Sequence, residues 1–328
     1  MSAKAKRELL EMTGGFWRAI PVITAQRLGL FARIAKAPKT PAQLRRALAA
    51  EERALRRLLD ALLGLGLIVW EDDHLALAPK FAPYLDPASP EALTGMLDHQ
   101  WHLIHSWMRL ERIVLDGAER VVDFEAMRAD PERERAFNHA MRTRGRESAQ
   151  ELMRAFDFRK VRRVLDVGGG SGAIAAEVCR RHRRLEWTIL DRPGALSLAR
   201  RKLAADGLTD RIRCVRGDAV KDVWPEGHDA VLLSNLIHAY GEGDTDRILR
   251  RAAAALPRGG RLLLRDFISP REDVPTPFAG IFGINMLVNT ERGRVYSLPE
   301  LKRMVQAAGF RFERFVDDQS QTLIARRR

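Results

Sequence analysis

A glycine-rich segment carries the clearest chemical signal in this 328-residue chain. Residues 164–172 read V-L-D-V-G-G-G-S-G, so a short apolar run that includes Asp166 leads directly into four glycines and a serine. The Ala-rich residues 173–181 predict that a helix follows. Strand, glycine turn and helix bring backbone N–H groups close to a ligand, because glycine has no Cβ to block the approach. The segment predicts a loop that binds a nucleotide-like cofactor.

Two cofactors compete for this loop. The spacing Gly168-x-Gly170-x-x-Ala173 satisfies the dinucleotide fingerprint of NAD enzymes. The overlapping spacing Asp166-x-Gly168-x-Gly170-x-Gly172 is the S-adenosylmethionine pattern, in which the acid is able to hold the ammonium of the methionine part. A loop without Lys or Arg suits a cofactor that carries a sulfonium and no pyrophosphate. The loop therefore favours S-adenosylmethionine.

Two further acids follow predicted strands and support that choice. Asp191 ends the predicted strand 187–190 and is placed to accept hydrogen bonds from both ribose hydroxyls. Asp218 follows the predicted strand 212–215, where it can accept from an adenine amino group. Each acid alone also fits a residue that caps the next helix. Three acids in this order, after successive strands, favour the S-adenosylmethionine site.

A histidine after the fourth predicted strand is the candidate general base. His238 lies in the segment 234–240, and strand ends on this side of a parallel sheet face the ligand crevice. A histidine titrates near neutral pH, so it can remove a proton from an acceptor hydroxyl. Asp266 ends the next strand and can hold the imidazole in the required tautomer. A core histidine is the alternative for His238.

The pattern of elements from residue 158 onward predicts an α/β fold. Strands are predicted at 164–167, 187–190, 212–215, 230–234 and 261–266, alternating with helices. The segments 311–316 and 322–325, around residues 317–319, predict an antiparallel pair at the sheet edge. A mostly parallel, Rossmann-like sheet with an antiparallel last strand is typical of a class I methyltransferase and less typical of a dehydrogenase.

The N-terminal third predicts a mainly helical, winged-helix domain. Helices cover an amphipathic stretch at 21–34, a segment opened by Thr40-Pro41, and 51–65; the hairpin strands 67–70 and 74–77 follow. Many winged helices bind DNA. Here the hairpin turn is Glu71-Asp72-Asp73, and nine basic residues face six acidic ones between positions 33 and 80. Three adjacent carboxylates oppose a phosphate contact, so we predict a protein–protein module.

Charge and composition limit the classes of partner that we expect the chain to bind. The net charge of +13 lies mainly in residues 151–328, which carry +10, against +3 in residues 1–150. Its arginines are scattered over predicted helix faces, so no nucleic-acid partner is expected. No apolar run approaches a membrane span and no signal peptide opens the chain, so we expect no membrane partner and a cytoplasmic location. The two cysteines, Cys179 and Cys214, are expected in the core of a protein from a reducing compartment.

The sequence resembles the plant- and bacterial-type small-molecule O-methyltransferases related to caffeic acid and acetylserotonin methyltransferases. The resemblance covers most of the chain. It rests on the winged-helix region, the motif F-N-x-x-M at 137–141, the glycine loop with its downstream acids, the segment ending at His238, P-R-G-G at 257–260 and A-G-F at 308–310. It implies a dimerisation domain at 1–95, a helical bridge at 96–157 that contributes to the acceptor pocket, and an S-adenosylmethionine-binding domain at 158–328.

The resemblance also implies roles for individual residues. Cofactor positions fall on Asp166, Gly168, Gly170, Asp191, Asp218, Ala219 and Ser234, with His238 as the base and Asp266 as its partner. Acceptor positions fall on Met141 and Met286; Asn285 and, on the bridging helix, Trp101 and His105 are further candidates. Two departures stand out: Ala239 replaces the Asp that commonly follows the base, and the family's two orienting glutamates correspond to Asp266 and Val295. Glu291 is a candidate substitute for the second glutamate.

We therefore expect a homodimeric methyltransferase that uses S-adenosylmethionine and acts on a hydroxyl of a small, aromatic or polycyclic molecule. Residues Leu28, Leu30, Phe31 and Ile34 are predicted to form the apolar dimer face. The same fold with a sulfur, nitrogen or carbon acceptor is one alternative, and a non-catalytic winged-helix regulator is another. His99, His102 and His105 share a helical face, but they have no Cys or carboxylate at ligand spacing, so no metal is predicted.

Overall fold

A computed structural model of the chain describes residues 2–117, 131–273, 275–316 and 321–328. The helices are α1 Ser2–Thr13, α2 Phe16–Arg27, α3 Leu30–Lys36, α4 Pro41–Leu48, α5 Glu52–Gly64, α6 Ala82–Leu85, α7 Thr94–Trp107, α8 Leu110–Asp116, α9 Pro131–Ala155, α10 Ala173–Arg181, α11 Pro193–Ala205, α12 Glu242–Ala255, α13 Pro277–Asn289 and α14 Leu298–Ala307. The strands are β1 Ile68–Glu71, β2 His74–Leu77, β3 Arg163–Val167, β4 Glu186–Asp191, β5 Ile212–Arg216, β6 Ala230–Ser234, β7 Arg261–Arg265, β8 Ile268–Ser269, β9 Tyr296–Ser297, β10 Phe310–Val316 and β11 Thr322–Arg327.

The chain divides into two units. The first comprises Met1–Ile104 and Arg135–Thr143, and the second comprises His105–Glu134 and Arg144–Arg328. Helix α9 therefore contributes residues to both units. In the described part of the chain, none of the helices has the length and apolar character needed to cross a membrane.

The first unit is helical, with one two-stranded hairpin. The amphipathic stretch 21–34 is divided between α2 and α3 at Gly29, whose φ of 65° a side chain with a Cβ rarely adopts. Thr40 caps α4 as predicted: its hydroxyl accepts from Gln43 N at 3.2 Å in a capping box. Strands β1 and β2 pair in antiparallel register from Ile68↔Leu77 to Glu71↔His74. The elements follow the predicted order of helices and then a hairpin.

The predicted dimer face proves largely wrong. Leu30, Phe31 and Ile34 are 0%, 0% and 2% exposed and pack in the core of the first unit with Leu44, Leu62 and other apolar residues. Only Leu28, at 44%, is exposed among the four. The helical spacing of the apolar residues in α3 suggested an interface, but it directs these side chains into the core of the domain itself. Large exposed apolar side chains lie on α1 and the start of α2: Leu9, Leu10, Met12, Phe16 and Trp17.

The second unit contains a seven-stranded sheet in the order β10-β11-β7-β6-β3-β4-β5. Strands β7, β6, β3, β4 and β5 are mutually parallel, and β11 runs antiparallel to both β7 and β10. This confirms the predicted class I methyltransferase fold with its reversed last strand. The predicted turn at residues 317–319 lies outside the described residues.

Both faces of this sheet are buried. Leu165, Val231 and Leu262 point into the core layer that includes α12 and α14, whereas their neighbours Val164, Leu232 and Leu263 belong to the layer that includes α10 and α11. Because side chains alternate along a strand, each central strand is apolar on both sides. The carboxyl ends of the five parallel strands meet at one edge, and this edge presents the residues with candidate chemistry.

Candidate active site

The glycine loop forms a tight turn between β3 and α10. Gly168 N donates to Leu190 O at 2.8 Å, and Gly172 N donates to Gly169 O at 3.0 Å. Gly168 has a φ of 76°, and a Cβ there would lie 2.7 Å from Leu236 Cδ1, so the turn requires glycine. At Gly170, with a φ of 56°, a Cβ would meet nothing within 4 Å, which leaves open space on that side of the loop.

Asp191 connects the end of β4 to this loop. Its Oδ2 accepts from Gly170 N at 2.8 Å, and its Oδ1 accepts from Arg192 N at 2.7 Å. The residue is half-buried, and each carboxylate oxygen can accept more than one hydrogen bond. The carboxylate is thus fixed beside the open space at Gly170.

Asp218 turns the chain after β5. Its Oδ1 accepts from Val220 N at 2.8 Å and Lys221 N at 3.0 Å, and its Oδ2 accepts from Arg192 Nη2 at 3.1 Å. Burial alone would raise the pKa of Asp218, but these hydrogen bonds and the Arg192 charge outweigh it and lower the pKa. The carboxylate caps its own turn, and the buried Ala219 follows it directly.

Asp166 is buried beneath the glycine loop. Its carboxyl is 1% exposed, and Oδ2 accepts from Trp187 Nε1 at 3.1 Å. A Cβ added at Gly169 would lie 2.7 Å from Asp166 Oδ2, so the carboxyl lies directly beneath the loop. Burial raises its pKa to about 7, with a further contribution from the Asp191 charge and an opposing one from the Trp187 hydrogen bond. Asp166 therefore supports the loop from below, and its contact with an ammonium group stays a prediction.

His238 and Asp266 form a close pair at the ends of β6 and β7. His238 Nδ1 lies 2.6 Å from Asp266 Oδ1, and the backbone N–H groups of His238 and Phe267 also reach this carboxylate, at 3.3 and 2.8 Å. The Asp266 side chain is 2% exposed and that of His238 15%. Burial would raise the pKa of Asp266, but the neighbouring His238 and the three hydrogen bonds lower it below its usual range. An ionised Asp266 favours a proton on Nδ1 and leaves Nε2 as the acceptor.

An aromatic cluster packs against the His238 ring. Phe282 meets the His238 ring edge-on with centroids 5.1 Å apart, and Phe267 lies 4.1 Å from Phe282 and 5.9 Å from His238. Phe278, which is 54% exposed, extends the cluster from α13, and the Arg144 guanidinium lies 5.9 Å from the Phe267 ring centroid. These rings were not among the predicted site residues. The spacing of Phe278 and Phe282, one turn apart after the Thr276-Pro277 helix start, was the available signal.

The predicted acceptor residues fall into two groups. Asn285 and Met286 lie on α13 in the second unit: Met286 is 5% exposed, and Asn285 Oδ1 accepts from Trp107 Nε1 at 3.0 Å. His105 is exposed on α7 in the same unit. Trp101 and Met141 belong to the first unit, where the Arg27 guanidinium lies 5.8 Å from the Trp101 ring centroid.

The histidines of α7 do not assemble a cluster of metal ligands. His99 packs edge-on against Phe137 with centroids 5.4 Å apart, and burial, together with the neighbouring His102, lowers its pKa to about 4. Within the described ranges, no group of three or more His, Cys, Asp or Glu side chains is placed to hold a metal ion. Both cysteines are free thiols, and burial raises their pKa values.

Glu291 does not take the place of the missing orienting glutamate in this structure. Its side chain is 76% exposed and pairs with Arg292 at 3.2 Å. The contact from this segment to the base is made by backbone, since Arg294 N donates to His238 O at 2.8 Å. Asp266 is therefore the carboxylate that orients the imidazole.

A polar cluster at the ends of β6 and β7 contains the predicted cofactor residue Ser234 together with residues that were not predicted. Arg265 at the end of β7 pairs with Glu151 of α9 through a 2.5 Å contact between Nη2 and Oε2, and its Nη1 reaches Asn235 Oδ1 at 3.4 Å. Ser234 Oγ is buried and has no hydrogen-bond partner among the described residues. These pairs join residues up to 114 positions apart, so no local pattern indicates them.

The residues at this edge fit S-adenosylmethionine. The open space at Gly170, the adjacent Asp191 carboxylate and the unpartnered Ser234 hydroxyl leave room and hydrogen-bonding capacity for an adenosyl amino acid. The described loop residues 168–172 include no basic side chain for a pyrophosphate. The donor set therefore fits S-adenosylmethionine better than a dinucleotide.

Comparison with known proteins agrees with this geometry. Residues 101–311 match the model of the O-methyltransferase domain, and residues 10–78 match that of the O-methyltransferase dimerisation domain. A 3-hydroxy-5-methyl-1-naphthoate 3-O-methyltransferase from Streptomyces sahachiroi is 31% identical over 92% of this chain and 88% of its own length.

Two solved structures share the architecture. Mitomycin 7-O-methyltransferase superposes with a TM-score of 0.85 at 29% identity, covering 100% of this chain and 99% of that one. Human N-acetylserotonin methyltransferase, solved in complex with S-adenosylmethionine, gives a TM-score of 0.87 at 24% identity, covering 98% and 97%. The latter likeness supports the fold alone.

Proposed function

The chain belongs to the O-methyltransferase family, whose methyl donor is S-adenosylmethionine, and we propose that its acceptor is a hydroxyl group on an aromatic or polycyclic small molecule. The observation that carries this proposal is the His238–Asp266 pair with phenylalanine rings packed against His238. A base next to flat apolar surfaces suits a phenolic hydroxyl, which must lose a proton while its ring is held in place.

His238 removes the acceptor proton in this proposal. The ionised Asp266 accepts a hydrogen bond from Nδ1–H and thereby leaves the lone pair of Nε2 for the acceptor hydroxyl. When the hydroxyl transfers its proton to Nε2, the resulting imidazolium is stabilised by the Asp266 carboxylate. The short contact also fixes the direction of the ring. Asp266 acts through His238 and is a positioning residue.

The cofactor is held along the carboxyl edge of the sheet. Asp191 accepts hydrogen bonds from the ribose hydroxyls, and the loop glycines Gly168 and Gly170 admit the cofactor close to the backbone. Asp218 and Ala219 border the adenine position, and Ser234 contributes its free hydroxyl. When bound, S-adenosylmethionine supplies a methyl group activated by a sulfonium. The protein contributes mainly proximity and orientation to the transfer.

The acceptor contacts Phe267, Phe282 and Met286 of the second unit. The relative that methylates a hydroxynaphthoate and the related mitomycin 7-O-methyltransferase support an aromatic or polycyclic acceptor. Met141, Trp101, His105 and Asn285 remain proposed acceptor residues. Acceptors that react through sulfur, nitrogen or carbon are the alternatives that the assay below separates.

The proposal extends to assembly and location. We expect a homodimer formed through residues 1–95, which is supported by the dimerisation-domain match at 10–78. We also expect a cytoplasmic location, supported by the two free thiols of Cys179 and Cys214. The acidic turn at Glu71–Asp73 opposes the alternative of a DNA-binding regulator.

A transfer assay tests the proposal. The protein is incubated with methyl-labelled S-adenosylmethionine and a matched series of naphthalenes that differ only in carrying a hydroxyl, a thiol or an amino group. We expect label in the methyl ether and a clear preference for the hydroxyl member. Transfer confined to the thiol or the amine would contradict the acceptor assignment. A protein that binds the cofactor, transfers no label and binds duplex DNA tightly would be the regulator.

A further inference from the structure

The polar cluster at the ends of β6 and β7 has no part in the proton transfer. Arg265 is 8% exposed, and its side chain pairs with Glu151, whose side chain is 13% exposed. Asn235, next to Ser234, has a φ of 50°, a left-handed conformation that directs the chain from β6 toward His238. A buried guanidinium at this position is therefore held in place by one carboxylate and one amide oxygen.

Two hydrogen-bond donors in this cluster lack acceptors. Arg265 Nε and Ser234 Oγ are both buried and have no partner within the described ranges. The two residues are direct neighbours, because Ser234 pairs with Arg265 in the parallel register of β6 and β7. Buried donors in native proteins are almost always satisfied. Two adjacent unsatisfied donors indicate that a ligand supplies the acceptor.

The position of the two donors limits which ligand this is. Strand β6 lies between β7 and β3, and β3 leads into the glycine loop. Adjacent strands are about 4.8 Å apart, so Ser234 lies one strand spacing from the end of β3 and Arg265 lies two. Leu236, two residues beyond Ser234, touches the Gly168 position directly. The donors therefore lie at the same edge of the sheet as the loop, on the side away from Asp218.

We propose that Arg265 Nε and Ser234 Oγ bind the carboxylate of the methionine part of S-adenosylmethionine, an inference that rests on the proposed function. A guanidinium N–H and a hydroxyl form strong, charge-assisted hydrogen bonds to a carboxylate. Glu151 pairs with Nη2 and leaves Nε without an acceptor among the described residues, so Glu151 is a positioning residue. The amino-acid end of the cofactor is then bound by the Arg265 cation on β7, whereas Asp191 binds the ribose.

Binding measurements with two ligands test this assignment. Decarboxylated S-adenosylmethionine keeps the adenosine, the sulfonium and the ammonium and lacks only the carboxylate. Calorimetry on the wild-type protein should show that S-adenosylmethionine binds roughly 10- to 150-fold more tightly than the decarboxylated ligand. Ser234→Ala should reduce this ratio. The double variant Arg265→Met/Glu151→Gln should bring it close to one, and it leaves no buried charge without a partner.

A matched control lies on the same strand. Arg261 begins β7 and pairs with Glu313 at 3.3 Å, so Arg261→Met/Glu313→Gln removes an equivalent pair at the opposite end. The control should keep the wild-type ratio. If the wild type binds both ligands equally, or if Ser234→Ala and the double variant weaken both ligands in parallel, the assignment is overturned. Should the double variant fail to fold, Ser234→Ala decides. Failure of the proposed function would appear instead as a wild-type protein that transfers no methyl group.

Discussion

At the scale of single residues, the 2.6 Å contact between His238 Nδ1 and Asp266 Oδ1 determines what the imidazole can do. The carboxylate favours one tautomer and leaves the other nitrogen for a proton from the acceptor. Aspartate, one methylene shorter than the family's glutamate, achieves this contact because it follows β7 directly and also accepts from two backbone N–H groups. The replacement at position 266 therefore preserves the pair.

His238→Gln tests this role. We expect turnover to fall roughly 10²- to 10⁴-fold, the usual effect of losing a general base, while affinity for S-adenosylhomocysteine stays unchanged. The loss should shrink as the pH approaches about 10, where a phenol ionises without help. Turnover against pH and calorimetry provide the two measurements, with His74→Gln on the hairpin as a control. If His238→Gln keeps wild-type turnover at neutral pH, His238 is not the general base.

Asp166 offers a pH-dependent prediction at the same scale. Burial raises its pKa from 3.8 to about 7, so the native state keeps a proton that the unfolded chain has already lost between these values. The stability that this proton confers is complete below about pH 4 and is lost as the pH rises through 7. Asp166→Asn keeps the acceptor for Trp187 and removes the titration. We expect the melting temperature of the wild type, relative to this variant, to fall between about pH 4 and 7 and to level off above pH 7; a constant difference would contradict the shift.

At the scale of elements, the site depends on how closely α9 approaches the start of α10. A Cβ placed at Gly145 would collide with the Cβ of Ala173, the first residue after the glycine loop. Glycine costs stability inside a helix such as α9, and here it permits close packing next to the cofactor loop. This contact lies within the second unit, so it links the last turns of α9 to the loop geometry.

A double-mutant cycle measures that contact. Gly145→Ala should lower the melting temperature and weaken binding of S-adenosylhomocysteine, although alanine has the better helix propensity. The same substitution should cost less in the background of Ala173→Gly, because the nearest remaining atom of residue 173, Cα, lies 3.5 Å from the new Cβ. Additive effects would show that the two positions do not interact.

The elements also show where sequence reasoning succeeds and where it fails. The parallel strands and their terminal acids were predictable, because apolar runs and adjacent Gly or Asp residues are local patterns. The burial of Asp166 was not predictable, because the indole that donates to its carboxyl belongs to Trp187 on the neighbouring strand. Likewise, the apolar period of α3 indicates a buried face without showing what buries it. Residues that meet only through the sheet, such as Glu151 and Arg265, leave no local trace.

At the scale of the whole molecule, the spread of charge indicates a solvated surface, whereas the exposed apolar side chains indicate a protein–protein contact. The net charge of +13 is spread over many arginines, and several form ion pairs on exposed helix faces, as Arg247 does with Asp244 at 2.7 Å and Arg250 with Asp246 at 2.7 Å. Such surface pairs contribute little to stability and suit a solvated surface. Exposed apolar side chains, in contrast, concentrate near the N-terminus.

The dimer prediction follows from that concentration. Leu10, Phe16 and Trp17 are 61%, 61% and 74% exposed, and all three lie within the matched dimerisation segment 10–78. Apolar surface of this kind marks protein–protein contacts.

Each such side chain contributes about 1.5–3 kcal/mol when buried, so charges at two of these positions should separate the subunits. We expect light scattering to show a dimer at micromolar concentration for the wild type and a monomer for Leu10→Glu/Trp17→Glu, with the melting temperature checking the fold. Val223→Glu, at an 85% exposed apolar position outside the segment, should stay dimeric. A wild-type monomer, or a charged variant that remains dimeric, would exclude these residues from the interface.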